Sequence, residues 1–162
     1  MKKNIFNKNN LTESIIIDKF FSKLNFNRVE TFNFKNDAGF LKNKSNYKII
    51  ATNDSISENI DFFKYDDPQS IAQKIITSNL SDLSAMGAKP YCYMLNLCLN
   101  SDINYNWLKD FSNHLYKLQK KYNFFLLGGD LSKTKSLMIS STFYGYAKAK
   151  YIIPKNKVKK NE

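Results

Sequence analysis

Asn79-Leu80-Ser81-Asp82-Leu83-Ser84-Ala85-Met86-Gly87-Ala88-Lys89-Pro90 is the stretch that decides how this chain is built, because it closes a helix readable at both ends. Asp67 suits an N-cap, Pro68 the first helical position, and Gly87 falls just past the last turn, so the spacing predicts a helix over 68–86. At roughly 100° per residue, Ile71, Ala72, Ile75, Ile76, Leu80, Leu83 and Met86 fill one half of the wheel. Ser70, Gln73, Lys74, Thr77, Ser78, Ser81 and Ser84 fill the other half. Asn79 falls near the middle of the apolar half and Asp82 near its edge. A carboxylate directed inward is costly unless paired, hydrogen-bonded or metal-bound, so the position predicts a site. The bland alternative is that Asp82 reaches solvent past the helix edge.

Two further acids follow strand-like runs on either side of this helix. Tyr47-Lys48-Ile49-Ile50-Ala51-Thr52 leads to Asn53-Asp54, and Phe124-Phe125-Leu126-Leu127 leads to Gly128-Gly129-Asp130. Sites in α/β proteins are usually built where strands end. The pattern predicts a helix over 11–24 and strands around 38–41 and 47–53. A loop with Asp61, Asp66 and Asp67 follows, then the helix already described and a strand over 91–99. A helix over 105–121 buries Trp107, Leu108, Phe111, Leu115 and Leu118, and strand 124–127, a Gly-Gly-Asp turn and strand 137–147 complete the order. This order implies an α/β (α+β) fold, a mixed sheet flanked by helices over 11–147. Residues 1–10 read as a loose N-terminus and 148–162 as a lysine-rich tail or linker.

With 162 residues, 43% hydrophobic and 15% aromatic, the chain suits one domain with a sizeable core. No apolar run is long enough to span a membrane, and no signal-peptide core follows Met1-Lys2-Lys3-Asn4, so the expected location is cytoplasmic. The net charge of +11 raises nucleic acid as a partner. All basic residues but Arg28 are lysine, they are scattered except near the C-terminus, and asparagine and isoleucine abound. That is the bias of an AT-rich genome, no nucleic-acid-binding motif is present, and neither nucleic acid nor membrane is expected as a partner. Cys92 and Cys98, an even number of residues apart in one strand, read as free thiols on one face.

His114 is the only histidine and lies just off the apolar face of its helix, a boundary position. Its isolation disfavours triad hydrolases and histidine-ligated zinc. What remains is a set of oxygen donors, Asp37, Thr52, Asn53, Asp54, Asp82 and Asp130. Hard oxygen ligands suit Mg²⁺, and acids interspersed with glycines suit Mg²⁺ carrying nucleotide phosphates. Gly129-Asp130-Leu131-Ser132-Lys133-Thr134 lacks P-loop spacing, so an ATP site here would be metal-led.

Thr52-Asn53-Asp54-Ser55, the 79–90 stretch, and Gly128-Gly129-Asp130 followed by Leu137-Met138-Ile139-Ser140 together resemble the N-terminal half of the thiamine-monophosphate kinases. That family belongs to the aminoimidazole-ribonucleotide-synthetase-like superfamily, and the long middle motif is the specific one. The resemblance implies transfer of the γ-phosphoryl of ATP to thiamine monophosphate, giving thiamine diphosphate, with Mg²⁺ and no covalent intermediate. It implies a homodimer whose sheets pair into a barrel. It places Asp37, Thr52, Asn53, Asp54, Asp82 and Asp130 at metal positions, Gly129, Asp130 and Lys155 at the nucleotide, and Asp61 at the substrate. Selenophosphate-synthetase-like and hydrogenase-maturation-like groups differ in the stretch matched by 79–90.

The departures are specific. The family's Gly-Asp-Asp-Ala-Ala is Lys35-Asn36-Asp37-Ala38-Gly39 here, the threonine before Asp54 is Asn53, and a substrate-contacting histidine is Asp61. An aspartate cannot donate to a phosphate at neutral pH. The family also has a second domain of similar size, which this sequence does not contain. The expectation is therefore the N-terminal half of a kinase, incomplete on its own: either a fragment, or one subunit of a split enzyme whose C-terminal domain is a separate chain. The alternative is a non-catalytic nucleotide-binding or dimerisation module derived from that family.

Overall fold

The helix that ends in the 79–90 stretch forms where its caps place it. In the computed structural model, which describes residues 11–152, α2 spans Pro68–Ala85. Asp67 Oδ2 accepts from the Ser70 amide at 3.3 Å, and Gly87 takes φ 64° beyond the end, a conformation glycine adopts without a Cβ penalty. Ile71, Ala72, Ile75, Ile76 and Leu83 are buried. α3 (Tyr105–Tyr122) is capped by Asn104, whose side chain accepts from the Trp107 amide at 3.0 Å, and ends at Asn123 in the left-handed region. It buries Leu108, Phe111, Leu115 and Leu118. The expected loose residues 1–10, Lys155 and the last residues of the tail lie outside the described residues.

These helices cover one face of a four-stranded sheet built from β1 (Tyr47–Ser57), β2 (Lys89–Leu99), β3 (Phe125–Lys133) and β4 (Met138–Lys148), ordered β1-β4-β2-β3. β4 runs antiparallel to both β1 and β2, while β3 is parallel to β2. The parallel step needs a crossover, and α3 supplies it. Period-two alternation sends Tyr93, Leu95 and Leu97 of β2 and Ile139 and Phe143 of β4 into the core with the helices. Cys92 joins a second, small cluster with Phe125 and Leu127. Cys92 and Cys98 are both free, and burial pushes the Cys92 thiol up to about 12.

Four expectations need correction. The helix expected over 11–24 is broken into α1 (Glu13–Ile16), a wide π turn (Ile17–Phe21) and a 3-10 turn (Ser22–Asn25). The wide turn lets adjacent Phe20 and Phe21 both reach the interior. Residues 38–41 form no strand, because the segment turns back on itself and Phe40 N donates to Glu30 O at 3.0 Å. β1 does not stop at Asn53 but runs on to Ser57. Gly128-Gly129-Asp130 is not a turn: β3 passes through it, with the register slipping by one residue opposite Tyr93 and Met94. A Cβ on Gly129 would stand 1.9 Å from Leu95 O, so the glycine serves a close approach of two strands next to a bulge.

Candidate functional site

Alternation along β1 sorts the predicted donors. Thr52 and Asp54 share the register of Ile50 and Ile56, which pack with the helices, and the end of α2 delivers Asp82 beside them. Thr52 Oγ1 donates to Asp82 Oδ2 at 2.8 Å. Burial and, next, the neighbouring charge of Asp82 push the Asp54 carboxyl up from its usual range. Asp82 itself is exposed, so the burial expected of an inward carboxylate is corrected: it stands at the rim of the apolar face, with Oδ2 on the Thr52 hydroxyl. Asn79 is the fully buried polar residue of that helix, and its Nδ2 donates to Ile75 O at 3.0 Å. Asn53 faces the opposite way and spends its amide on Thr142 Oγ1 at 2.8 Å and Ser141 O at 3.1 Å.

A second group forms at the far edge of the sheet. Asp37, Gly128, Gly129 and Asp130 line a cavity of about 520 Å³ with Phe34, Leu95 and Leu131. β1 and β3 are opposite edges, three inter-strand spacings or about 14 Å apart. The six predicted ligands are thus divided into Thr52 with Asp54 and Asp82, and Asp37 with Asp130, while Asn53 stands apart from both. Accordingly, no group of three or more His, Cys, Asp or Glu converges on one point among the described residues. The first group nonetheless suits a hard divalent cation: the Thr52 hydroxyl is hydrogen-bonded to Asp82, the charge of Asp82 is felt at Asp54, and a divalent cation attracts both carboxylates.

Asp61, expected at the substrate, spends one carboxylate oxygen within its own loop. Its Oδ2 accepts from Ser57 N at 2.8 Å, folding the loop after β1 back on the strand end, and its carbonyl accepts from Lys74 Nζ. His114 keeps its boundary position, sharing a 3.0 Å hydrogen bond with Gln73 Oε1, and burial, then Lys117, depress its pKa, so it is neutral at pH 7.

Two acids escaped the sequence reading. Glu58 Oε2 accepts from Asn100 Nδ2 and Leu137 N, both at 2.9 Å, tying together the ends of β1, β2 and β4. Glu30 is 1% exposed and accepts from Tyr91 Oη at 2.6 Å. Neither sits in a motif or a periodic run, and only contacts between distant segments reveal them.

Residues 35–147 match the family model of the AIR synthase related protein, N-terminal domain. The chain belongs to this family. Among curated relatives, it is 35% identical over 138 residues to the thiamine-monophosphate kinase of Buchnera aphidicola subsp. Acyrthosiphon pisum, covering 85% of this chain and 42% of the relative. The solved thiamine-monophosphate kinase of Stenotrophomonas maltophilia is 29% identical and superposes with a TM-score of 0.65 over 70% of this chain and 35% of its own. The solved structure of AaThiL complexed with AMPPCP and TMP shares the fold at 24% identity, with a TM-score of 0.62 over 69% of this chain and 36% of that one. The chain spans less than half the length of each of these relatives.

Proposed function

We propose that this chain is the nucleotide- and magnesium-binding half of an ATP-dependent thiamine-monophosphate kinase, working in the cytoplasm as a homodimer. The observation that carries the reading is the Thr52, Asp54 and Asp82 group, three oxygen donors from β1 and α2 held together at the end of the helix that matches the family's long motif. Asp54 and Asp82, together with Thr52, would hold Mg²⁺, which when bound neutralises phosphate charge and aligns the donor phosphoryl. The Thr52 hydroxyl donates to Asp82 Oδ2, which leaves the Thr52 oxygen lone pairs free to accept or ligate. Gly129, with no room for a side chain, brings the β3 backbone close to β2, and Asp130 and Asp37 face the cavity beside it.

The width of the sheet argues for a second copy. Asp130 cannot share an ion with Asp54 of the same chain across about 14 Å, whereas pairing of two sheets offers the β3 edge of one copy to the β1 edge of the other. The uncovered face also carries Ile49, Met94 and Met138, each at least 39% exposed, which pairing would bury. Turnover to thiamine diphosphate needs, in this reading, the part of the relatives' length that the chain does not span, in the same polypeptide or a separate one.

The test is calorimetric titration of ATP into the protein with Mg²⁺ and with EDTA, followed by a thiamine diphosphate assay with and without a second domain taken from a related kinase. Magnesium-dependent binding and turnover restored by the added domain support the reading. Equal binding in EDTA overturns the metal-led site, and no rescue despite demonstrated association leaves a non-catalytic binding module.

A further inference from the structure

Glu30, 1% exposed, is the most deeply buried acid among the described residues, and it sits at the neck of a loop. Its main-chain oxygen accepts from Phe40 N at 3.0 Å, and its Oε1 accepts from Tyr91 Oη at 2.6 Å and pairs with Lys42 Nζ at 3.2 Å. The loop between, residues 31–41, leaves that neck and returns to it. Tyr91 belongs to β2 and is half-buried against Phe125, with ring centroids 5.2 Å apart, so the neck is fastened to the rigid sheet. Tyr146 of β4, whose ring packs on that of Tyr91 with centroids 4.8 Å apart, donates to Lys42 O. Gly39 fits only without a side chain, since a Cβ would meet Glu30 O at 2.8 Å and Leu127 Cδ1 at 2.7 Å.

The first half of the loop is held by a 3-10 turn over Val29–Phe34 and by Phe34 against the core, while the stretch that carries Asp37 returns to the sheet only through the neck. Residues 35–40 are exposed, and only Thr31 is buried and Phe34 and Leu41 half-buried within the loop. Asp37 lies at its far end and reaches the cavity that Asp130 also lines. Closing a short loop at its neck removes most of the freedom of its tip, so a fastening at Glu30 is felt at Asp37. Burial pushes the Glu30 carboxyl up, but hydrogen bonds from Tyr91 and Lys42 and the charge of Arg28 outweigh this and hold it ionised. Lys42 is half-exposed and its ion pair weak, which leaves the Tyr91 hydroxyl as the main partner.

We propose that Glu30 is a positioning residue: it locks the neck of loop 31–41 onto Tyr91 and so holds Asp37 at the mouth of the cavity shared with Asp130. This rests on the reading that Asp37 serves the metal–nucleotide site, while the state of the loop is readable without any ligand.

The experiment uses the full chain and the variants Glu30→Ala, Glu30→Gln, Tyr91→Phe, Asp37→Asn and the double variant Glu30→Ala/Asp37→Asn. Hydrogen exchange reads the loop, and Mg²⁺-dependent binding of a non-hydrolysable ATP analogue reads the site. Loss of a hydrogen bond to a charged acceptor should speed exchange of the 31–41 amides about tenfold, leaving β2 and β4 amides unchanged, and weaken nucleotide binding about tenfold. Glu30→Gln, which keeps an acceptor for Tyr91, should recover most of both. In the Asp37→Asn background Glu30→Ala should cost no further affinity, because its effect passes through Asp37. A further loss of about tenfold in that background, or unchanged exchange in both Glu30→Ala and Tyr91→Phe, overturns the proposal. If Glu30→Ala does not fold, Tyr91→Phe removes the same bond from the other side and decides the question. A wild-type chain that binds no magnesium nucleotide defeats the proposed function instead, and the exchange measurement then judges the neck by itself.

Discussion

Replacing Asp82 with asparagine isolates the charge of the candidate metal site from its geometry. The introduced amide keeps an oxygen that can accept the Thr52 hydroxyl, now 2.8 Å from Asp82 Oδ2, and position 82 is exposed at the helix rim, so the core is untouched. What is lost is one negative charge facing a divalent ion. Two unit charges 4 Å apart in water-like surroundings interact by about 1 kcal/mol, and a doubly charged ion doubles this to about 2 kcal/mol. At about 1.4 kcal/mol per decade, magnesium affinity falls about 30-fold as a minimum, since a direct ligand lies closer than 4 Å and a drier site has a lower dielectric. The Asp54–Asp82 repulsion is present with and without the ion in the wild type, so its relief does not offset the loss. Calorimetric titration of the magnesium-dependent part of ATP-analogue binding, wild type against Asp82→Asn, measures the change. A fully folded variant whose magnesium dependence moves by less than about threefold refutes the assignment of Asp82 to the ion.

Asp54→Asn should stabilise the metal-free protein at neutral pH. Burial and Asp82 raise the folded-state pKa of Asp54 above its unfolded value, so its ionised form is a penalty that is present at neutral pH and fades as pH falls through the carboxylate range. Thermal unfolding should therefore show a gain at neutral pH that vanishes near about pH 3, where both states are protonated; a gain that persists there argues against the linkage. Gly128→Ala and Gly129→Ala should differ sharply although they are neighbours. Nothing lies within 4 Å of a Cβ on Gly128, while one on Gly129 would overlap the Leu95 main chain at 1.9 Å. Denaturant titration should find Gly128→Ala close to neutral and Gly129→Ala destabilised by about 3 kcal/mol or more, as the clash is with backbone that cannot rotate away.

Local signals carried the two long helices, the four strands of the sheet and the motif residues, but not the helix expected over 11–24 or the strand expected over 38–41. Asp67, Pro68 and Gly87 bound α2 through capping chemistry that acts within a few residues, and alternation in β2 and β4 reports which side chains face a core. The same local logic failed where distant segments decide. Gly128-Gly129-Asp130 carries the composition of a turn, yet β2 passing beside Gly129 turns it into strand. Phe20 and Phe21 break a regular helix because both find room in the core, a fact no 3.6-residue period contains. The division of the oxygen donors into two groups follows from strand order, and order is set by which hydrophobic faces pack together over the whole chain. Glu30 and Glu58 have no sequence signature for the same reason: a buried carboxylate is defined by the donors that converge on it. For Glu30 these are Tyr91 and Lys42, and for Glu58 they are Asn100 and Leu137, all far along the chain or across a loop. Residue identity thus determined which atoms could bind a cation, and tertiary packing alone determined which of them stand together.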